Sequence, residues 1–212
     1  MASVQPLDRR RLDDGLAVLA DRDPLIADAL ARYGPPAPRV RPPGFPTLLR
    51  IIVGQQISTR SAAAIWLRIE TALGDDVSPA KLLALQPESH GDLGLTRQKL
   101  GYALGLAKAV AEGRFDPDAL VALDDDDAAS RIMELKGFGR WSAEIYLLFA
   151  LGREDVFPAD DLAVKVAMQR LHNLETAPDR PAMMDLARPW RPLRGCAAIL
   201  LWHVYGAATL DN

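Results

Sequence analysis

An all-α fold is expected for this chain of 212 residues, on three observations. No stretch alternates apolar and polar residues over the length of a strand, and no internal repeat is present. Short segments rich in Pro, Gly and Asp separate longer apolar ones. The stretch Thr96 to Gly113 places Leu100, Ala103, Leu104, Ala107 and Val110 on one helical face, with Thr96 positioned to cap it and Gly113 to end it.

The other elements follow in order. Pro-Pro pairs at 35–36 and 42–43 make residues 35 to 46 a rigid connector. Apolar residues dominate from Thr47 to Leu73, broken at GQQIS, where Ser58 or Thr59 is placed to cap a second helix. Asp124 to Asp127 lie where a helix begins, and carboxylates there complement the positive end of the helix dipole. Leu135-Lys136-Gly137-Phe138-Gly139-Arg140 then leads into an apolar helix from Trp141 to Leu151, ended by Gly152. The segment VFPADD precedes a helix from about Leu162 to Leu171, and a last helix spans about Leu193 to Tyr205.

Composition narrows the function classes. Hydrophobic residues make up 49% of the chain and charged residues 25%, enough apolar material for a folded core. No apolar run reaches the roughly 18 residues of a membrane span, and the first residues lack the apolar stretch of a secretory signal. Cys196 is the only cysteine, so no internal disulfide and no four-cysteine iron–sulfur cluster is possible. The histidines, His90, His172 and His203, are too scattered for a zinc set. A reducing, cytoplasmic setting is expected. The net charge of -3 argues against coating nucleic acid by charge alone. It leaves room for a few phosphates held by backbone amides.

LKGFGRWSAE offers such amides. Its glycines allow a tight hairpin and the close approach of another backbone. The N–H groups at the start of the next helix form an anion site, to which Arg140 adds a charge-assisted donor.

Leu135 to Ala143 resembles the helix–hairpin–helix motif L-x-G-x-G-x-x-[ST]-A, and the aspartate a short helix later resembles the Gly/Pro-rich loop and aspartate of the same DNA glycosylase superfamily. Three further stretches are similar to the 3-methyladenine DNA glycosylase II family: IIVGQQIS, LTRQKLGYALGLAKAVAEG and WRPLRGCAAILLWH. The resemblance covers residues 44 to 205. It implies a single DNA glycosylase unit of two helical lobes, residues 44–153 and residues 1–43 with 154–212, with an active-site cleft between them. It is to the short form without an N-terminal sheet domain.

The resemblance implies a monofunctional enzyme that hydrolyses the N-glycosidic bond of alkylated purines in double-stranded DNA during base excision repair. Asp161 is then the catalytic residue, because Val164 stands three residues on and Arg170 nine residues on, as in the superfamily. Asp160 is read as the cap or a loop-shaping residue. Trp202 and Trp141 match pocket aromatics, whose faces would favour a cationic purine. Gln56 matches the wedge that fills the gap left by a flipped nucleotide. Gly137, Gly139 and Arg140 match the phosphate-binding hairpin. The backbone carbonyls of Met133, Leu135 and Phe138 match a monovalent cation site for Na+ or K+, with no other cofactor required. The bifunctional branch has a Lys where this chain has Trp141, and a Schiff base needs that amine. Family members often carry a Tyr where this chain has Ile145, and an aromatic can occur where it has Leu162, so a less aromatic pocket is expected. The enzyme is expected to act as a monomer.

Plainer readings stand beside these. Gln55 and Gln56 also read as helix-end amides, Trp141 and Trp202 as core aromatics, Arg194 as a surface charge, and Asp160 with Asp161 as caps alone. Two other functions remain: a non-enzymatic DNA-binding module, and a glycosylase for a neutral damaged base.

Overall fold

The computed structural model describes residues 4–74 and 76–210, and every regular element among them is helical. In chain order these are α1 (Arg9–Arg22), α2 (Pro24–Tyr33), α3 (Phe45–Gly54), α4 (Thr59–Leu73), α5 (Pro79–Ala84) and α6 (Arg97–Ala111). There follow α7 (Asp125–Met133), α8 (Arg140–Phe149), α9 (Leu162–Leu171), α10 (Arg180–Leu186) and α11 (Arg194–Leu210). None of the described helices is long and apolar enough to cross a membrane.

Side-chain caps set many of the starts. Ser58 Oγ accepts from Ser61 N at 3.1 Å, so Ser58 and not Thr59 caps α4. Thr96 Oγ1 accepts from Lys99 N at 3.2 Å at the start of α6, and Asp124 Oδ1 from Asp127 N at 2.8 Å at the start of α7. Each such cap contributes about 1 kcal/mol.

The chain divides into two compact units, Arg41–Tyr146 and Val4–Val40 with Leu147–Asn212, the division falling within α8. In the first unit α3 packs on α4 and α6, and α5 on α6. Its core holds Leu48, Ile52, Ile69, Leu82 and Leu106, all at most 2% exposed, each contributing roughly 1.5–3 kcal/mol of burial. Tyr146, fully buried, accepts a 2.8 Å hydrogen bond at its hydroxyl from Gly44 N. That bond fastens the end of the proline-rich connector.

In the second unit α11 packs against α1, α2 and α9. A Cβ on Gly15 would lie 2.6 Å from Cys196 Sγ, so glycine is what lets α1 come this close to α11. Trp190 Nε1 donates to Asp23 Oδ2 at 2.7 Å, while Oδ1 of the same carboxylate caps α2 through Leu25 N at 2.9 Å. Arg194, read above as a possible surface charge, is 11% exposed and makes a two-pronged pair with Asp155 at 2.8 and 2.9 Å. Such a paired, buried cation is structural.

Two helix ends differ from expectation. α8 stops at Phe149 rather than Leu151, because the chain turns at Gly152 (φ +65°) and Arg153 N reaches back to Leu147 O at 3.1 Å. α11 continues through Gly206, which adopts no positive φ and so need not end the helix.

His172 closes α9 and packs its ring against Trp190, centroids 6.4 Å apart. Its Nε2 is buried without a hydrogen-bond partner, and burial holds its pKa below 6.5, with Asp23 opposing. A folded-state pKa lowered in this way means the unfolded chain takes up the proton first as pH falls. Stability should therefore be full above pH 6.5 and decline as the solution is acidified through that value. Urea unfolding at pH 7.5 and 5.0 checks this: the acid-side loss should be smaller in His172→Phe than in the wild type.

Candidate active site and nucleic-acid interface

The second unit carries the carboxylate expected to do chemistry. Residues 158 to 161 form a turn, with Asp161 N donating to Pro158 O at 3.0 Å. The first helical residue is Leu162, so Asp161 is the N-cap. Its Oδ1 accepts from Ala163 N at 3.0 Å, Val164 N at 3.1 Å and Trp202 Nε1 at 3.0 Å. Two helix amides and an indole thus fix one half-buried carboxylate.

Of the two expected roles of Asp160, cap or loop-shaping residue, the first is ruled out. The cap is Asp161, not Asp160, because capping requires the residue directly before the first helical turn. Asp160 instead pairs with Arg180 at 2.5 Å and Lys165 at 3.8 Å.

Trp202 is 9% exposed. Phe149 packs against it at 5.4 Å and 58°, and the Arg39 guanidinium lies over its ring at 5.2 Å. Its N–H orients Asp161, and any stacked base would have to share that ring with Arg39. Arg39 was not foreseen, since an Arg inside a proline-rich connector gives no signal of an aromatic partner. Leu162 is 71% exposed, while Ile145 is buried at 7%.

The first unit carries the hairpin. Leu135 N bonds Ile132 O at 3.1 Å and Phe138 N bonds Leu135 O at 3.0 Å, so the chain reverses over residues 135–138. Gly137 sits at φ +96°, and a Cβ there would fall 2.4 Å from ring atoms of Tyr102. Gly139 is different: a Cβ there would meet nothing within 4 Å. At the start of α8, amides of the first turn have no intrahelical acceptor. Arg140 is engaged by Glu144 and Asp126, both at 3.1 Å, and would have to exchange Asp126 for a phosphate. Trp141 is half-buried at the helix start, and Phe138 is buried.

Gln55 and Lys99 connect this hairpin to the GQQIS loop. Gln55 Nε2 donates to Gly137 O at 2.8 Å and to Ser142 Oγ at 3.1 Å. Lys99 Nζ donates to Val53 O at 2.8 Å and Gln55 O at 2.6 Å. Gln55 is therefore more than a helix-end amide. Gln56 is exposed, at φ +55°.

Among the described residues no cluster of His, Cys, Asp or Glu is arranged for a metal. The backbone carbonyls of Met133, Leu135 and Phe138 are donors of another kind, and that of Leu135 already accepts from Phe138 N. They lie at and just beyond the end of α7, where carbonyls without intrahelical donors gather, and oxygen is the donor a hard cation takes.

The family model for "HhH-GPD superfamily base excision DNA repair protein" matches residues 49–192, more than half of the chain. The chain belongs to this superfamily. Its hairpin and Asp161 both fall inside the matched span. The sequence is 27% identical over 180 residues to DNA-3-methyladenine glycosylase 1 of Schizosaccharomyces pombe, covering 84% of this chain and 79% of that protein. It is 25% identical over 163 residues to the Bacillus subtilis protein YfjP, covering 74% of this chain but only 57% of YfjP. Among superfamily structures, the S. pombe 3-methyladenine DNA glycosylase Mag1 in complex with abasic DNA superposes with a TM-score of 0.82 at 26% identity, covering 89% of this chain and 95% of that one.

Proposed function

We propose that the chain is a monofunctional DNA glycosylase that hydrolyses the N-glycosidic bond of alkylated purines, of the 3-methyladenine and 7-methylguanine type. The observation that carries this reading is Asp161, held by three N–H donors at the start of α9 in a chain of this superfamily. Breaking the bond leaves a positively charged, oxocarbenium-like sugar. A fixed carboxylate stabilises that charge and orients the attacking water. An alkylated purine is already cationic and leaves without a strong proton donor. The residue before Ser142-Ala143 is Trp141, which has no amine for a Schiff base, so the product is an abasic site.

The remaining roles belong to the same proposal. The nucleotide is flipped out of double-stranded DNA, with Gln56 filling the gap. Gly137, Gly139 and the amides leading into α8 receive a phosphate, with Arg140 assisting. Trp141 and Trp202 border the base. The carbonyls of Met133, Leu135 and Phe138 hold Na+ or K+, which would brace the hairpin, and no other cofactor takes part. The enzyme works as a monomer in a reducing, cytoplasmic setting.

The test is release of free base from duplex DNA carrying N-methylated purines. Free 3-methyladenine or 7-methylguanine is expected, with the strand left uncut. Binding without release of any base would favour the DNA-binding module, and release of only neutral damaged bases would move the substrate class.

A further inference from the structure

We propose that Lys99 and Gln55 are positioning residues that tie the Gln56 tip to the hairpin, so that base extrusion and phosphate anchoring act as one rigid body. This rests on the reading of Gln56 as the wedge.

The helix α3 ends at Gly54 and leaves carbonyls without helical donors. The Lys99 ammonium takes two carbonyls there, those of Val53 and Gln55. A cation suits the negative end of a helix. Burial lowers the Lys99 pKa from its ordinary value, so this ammonium is partly withdrawn from water. The Gln55 side-chain amide has two hydrogens, and both are used, on Gly137 O and Ser142 Oγ. One residue thereby joins the end of α3, the lysine of α6 and both sides of the hairpin.

Gln56 follows directly, in the left-handed region that non-glycine residues avoid. Such a conformation persists only where the surroundings impose it. Gln55 anchors one side through three hydrogen-bond partners, one each on α6, the hairpin and α8. Ser58 anchors the other by capping α4. Gln56 and Ile57 are left exposed between the two anchors. A wedge must push without bending, and these contacts supply the stiffness.

The test compares one lesion in two settings. For 7-methylguanine in a fully paired duplex, kcat/KM should fall about tenfold in Lys99→Met, the cost of a less rigid wedge. For the same lesion opposite an abasic site, where less must be unpaired, it should change less than about twofold. Ser142→Ala, which removes one acceptor of Gln55, should show the same selectivity with a smaller loss. Lys99→Arg, which keeps a cation, should recover part of it. Equal loss on both substrates, or no loss on either, overturns the proposal. If the wild type releases no base at all, the glycosylase reading fails instead. The proposal is then still decided by 2-aminopurine fluorescence beside the lesion on binding, which should brighten less with Lys99→Met than with the wild type. Equal brightening overturns it.

Discussion

Asp161→Asn should abolish base release while leaving the protein folded and bound to DNA. Asparagine keeps an oxygen that can accept from Ala163 N and Val164 N, and it caps helices about as well as aspartate. What it loses is the negative charge facing the cationic sugar. Removing a preorganised electrostatic group of this kind costs on the order of a hundredfold or more in rate. Asp161→Ala is a poorer test, because it also removes the cap and leaves Trp202 Nε1 without its acceptor, together about 2–4 kcal/mol of folding stability. Single-turnover base release, run beside a DNA-binding titration, separates the two effects. Undiminished release by Asp161→Asn would transfer the catalytic assignment to Asp160, which Arg180 and Lys165 now hold.

Gly137→Ala should destabilise the first unit by about 3 kcal/mol, a backbone penalty added to a steric one. The φ of +96° disfavours any side chain, and the new methyl would sit 2.4 Å from the Tyr102 ring. Tyr102 cannot easily retreat, since the clash falls on its Cγ and Cδ2, the ring atoms nearest its own backbone and not a flexible tip. A loss of that size is a substantial part of a domain's roughly 5–15 kcal/mol, and the midpoint of thermal unfolding should drop by roughly 6–12 °C. Adding Tyr102→Ala should restore the steric part only. Gly139→Ala is the informative partner variant. Its methyl meets nothing within 4 Å, so folding should be unchanged, and any fall in DNA affinity would report a backbone approaching that face. If Gly137→Ala unfolds at the wild-type temperature, the steric account of the hairpin is wrong.

Much of the helical framework was legible in the sequence, because the signals for those elements are local. Caps and apolar spacing lie within a few residues of each other, as at Thr96, Asp124 and Ser58. α9 falls on its expected bounds because Asp161 and the apolar run after it are adjacent in the chain. The helices α1, α2, α5 and α10 were not singled out. α5 and α10 span 6 and 7 residues, too short to be stable without packing partners. α1 does carry a periodic Leu12, Leu16 and Leu19, but they are interleaved with charge, and their burial becomes evident only against α11.

The site divides in the same way. Sequence alone determined that a G-x-G hairpin precedes an aspartate at a helix start, and that a tryptophan, Trp141, and not a lysine precedes Ser142-Ala143. Only the tertiary structure decided which aspartate caps and which forms ion pairs, since that depends on where the first turn closes. It alone paired Trp202 with Asp161 across 41 residues, Gln55 with Gly137 across 82, and Trp190 with Asp23 across 167. The physical reason is one of range. Propensity, capping and periodicity act within a turn or two of the chain, whereas a buried polar group takes whichever partner the packing brings to it.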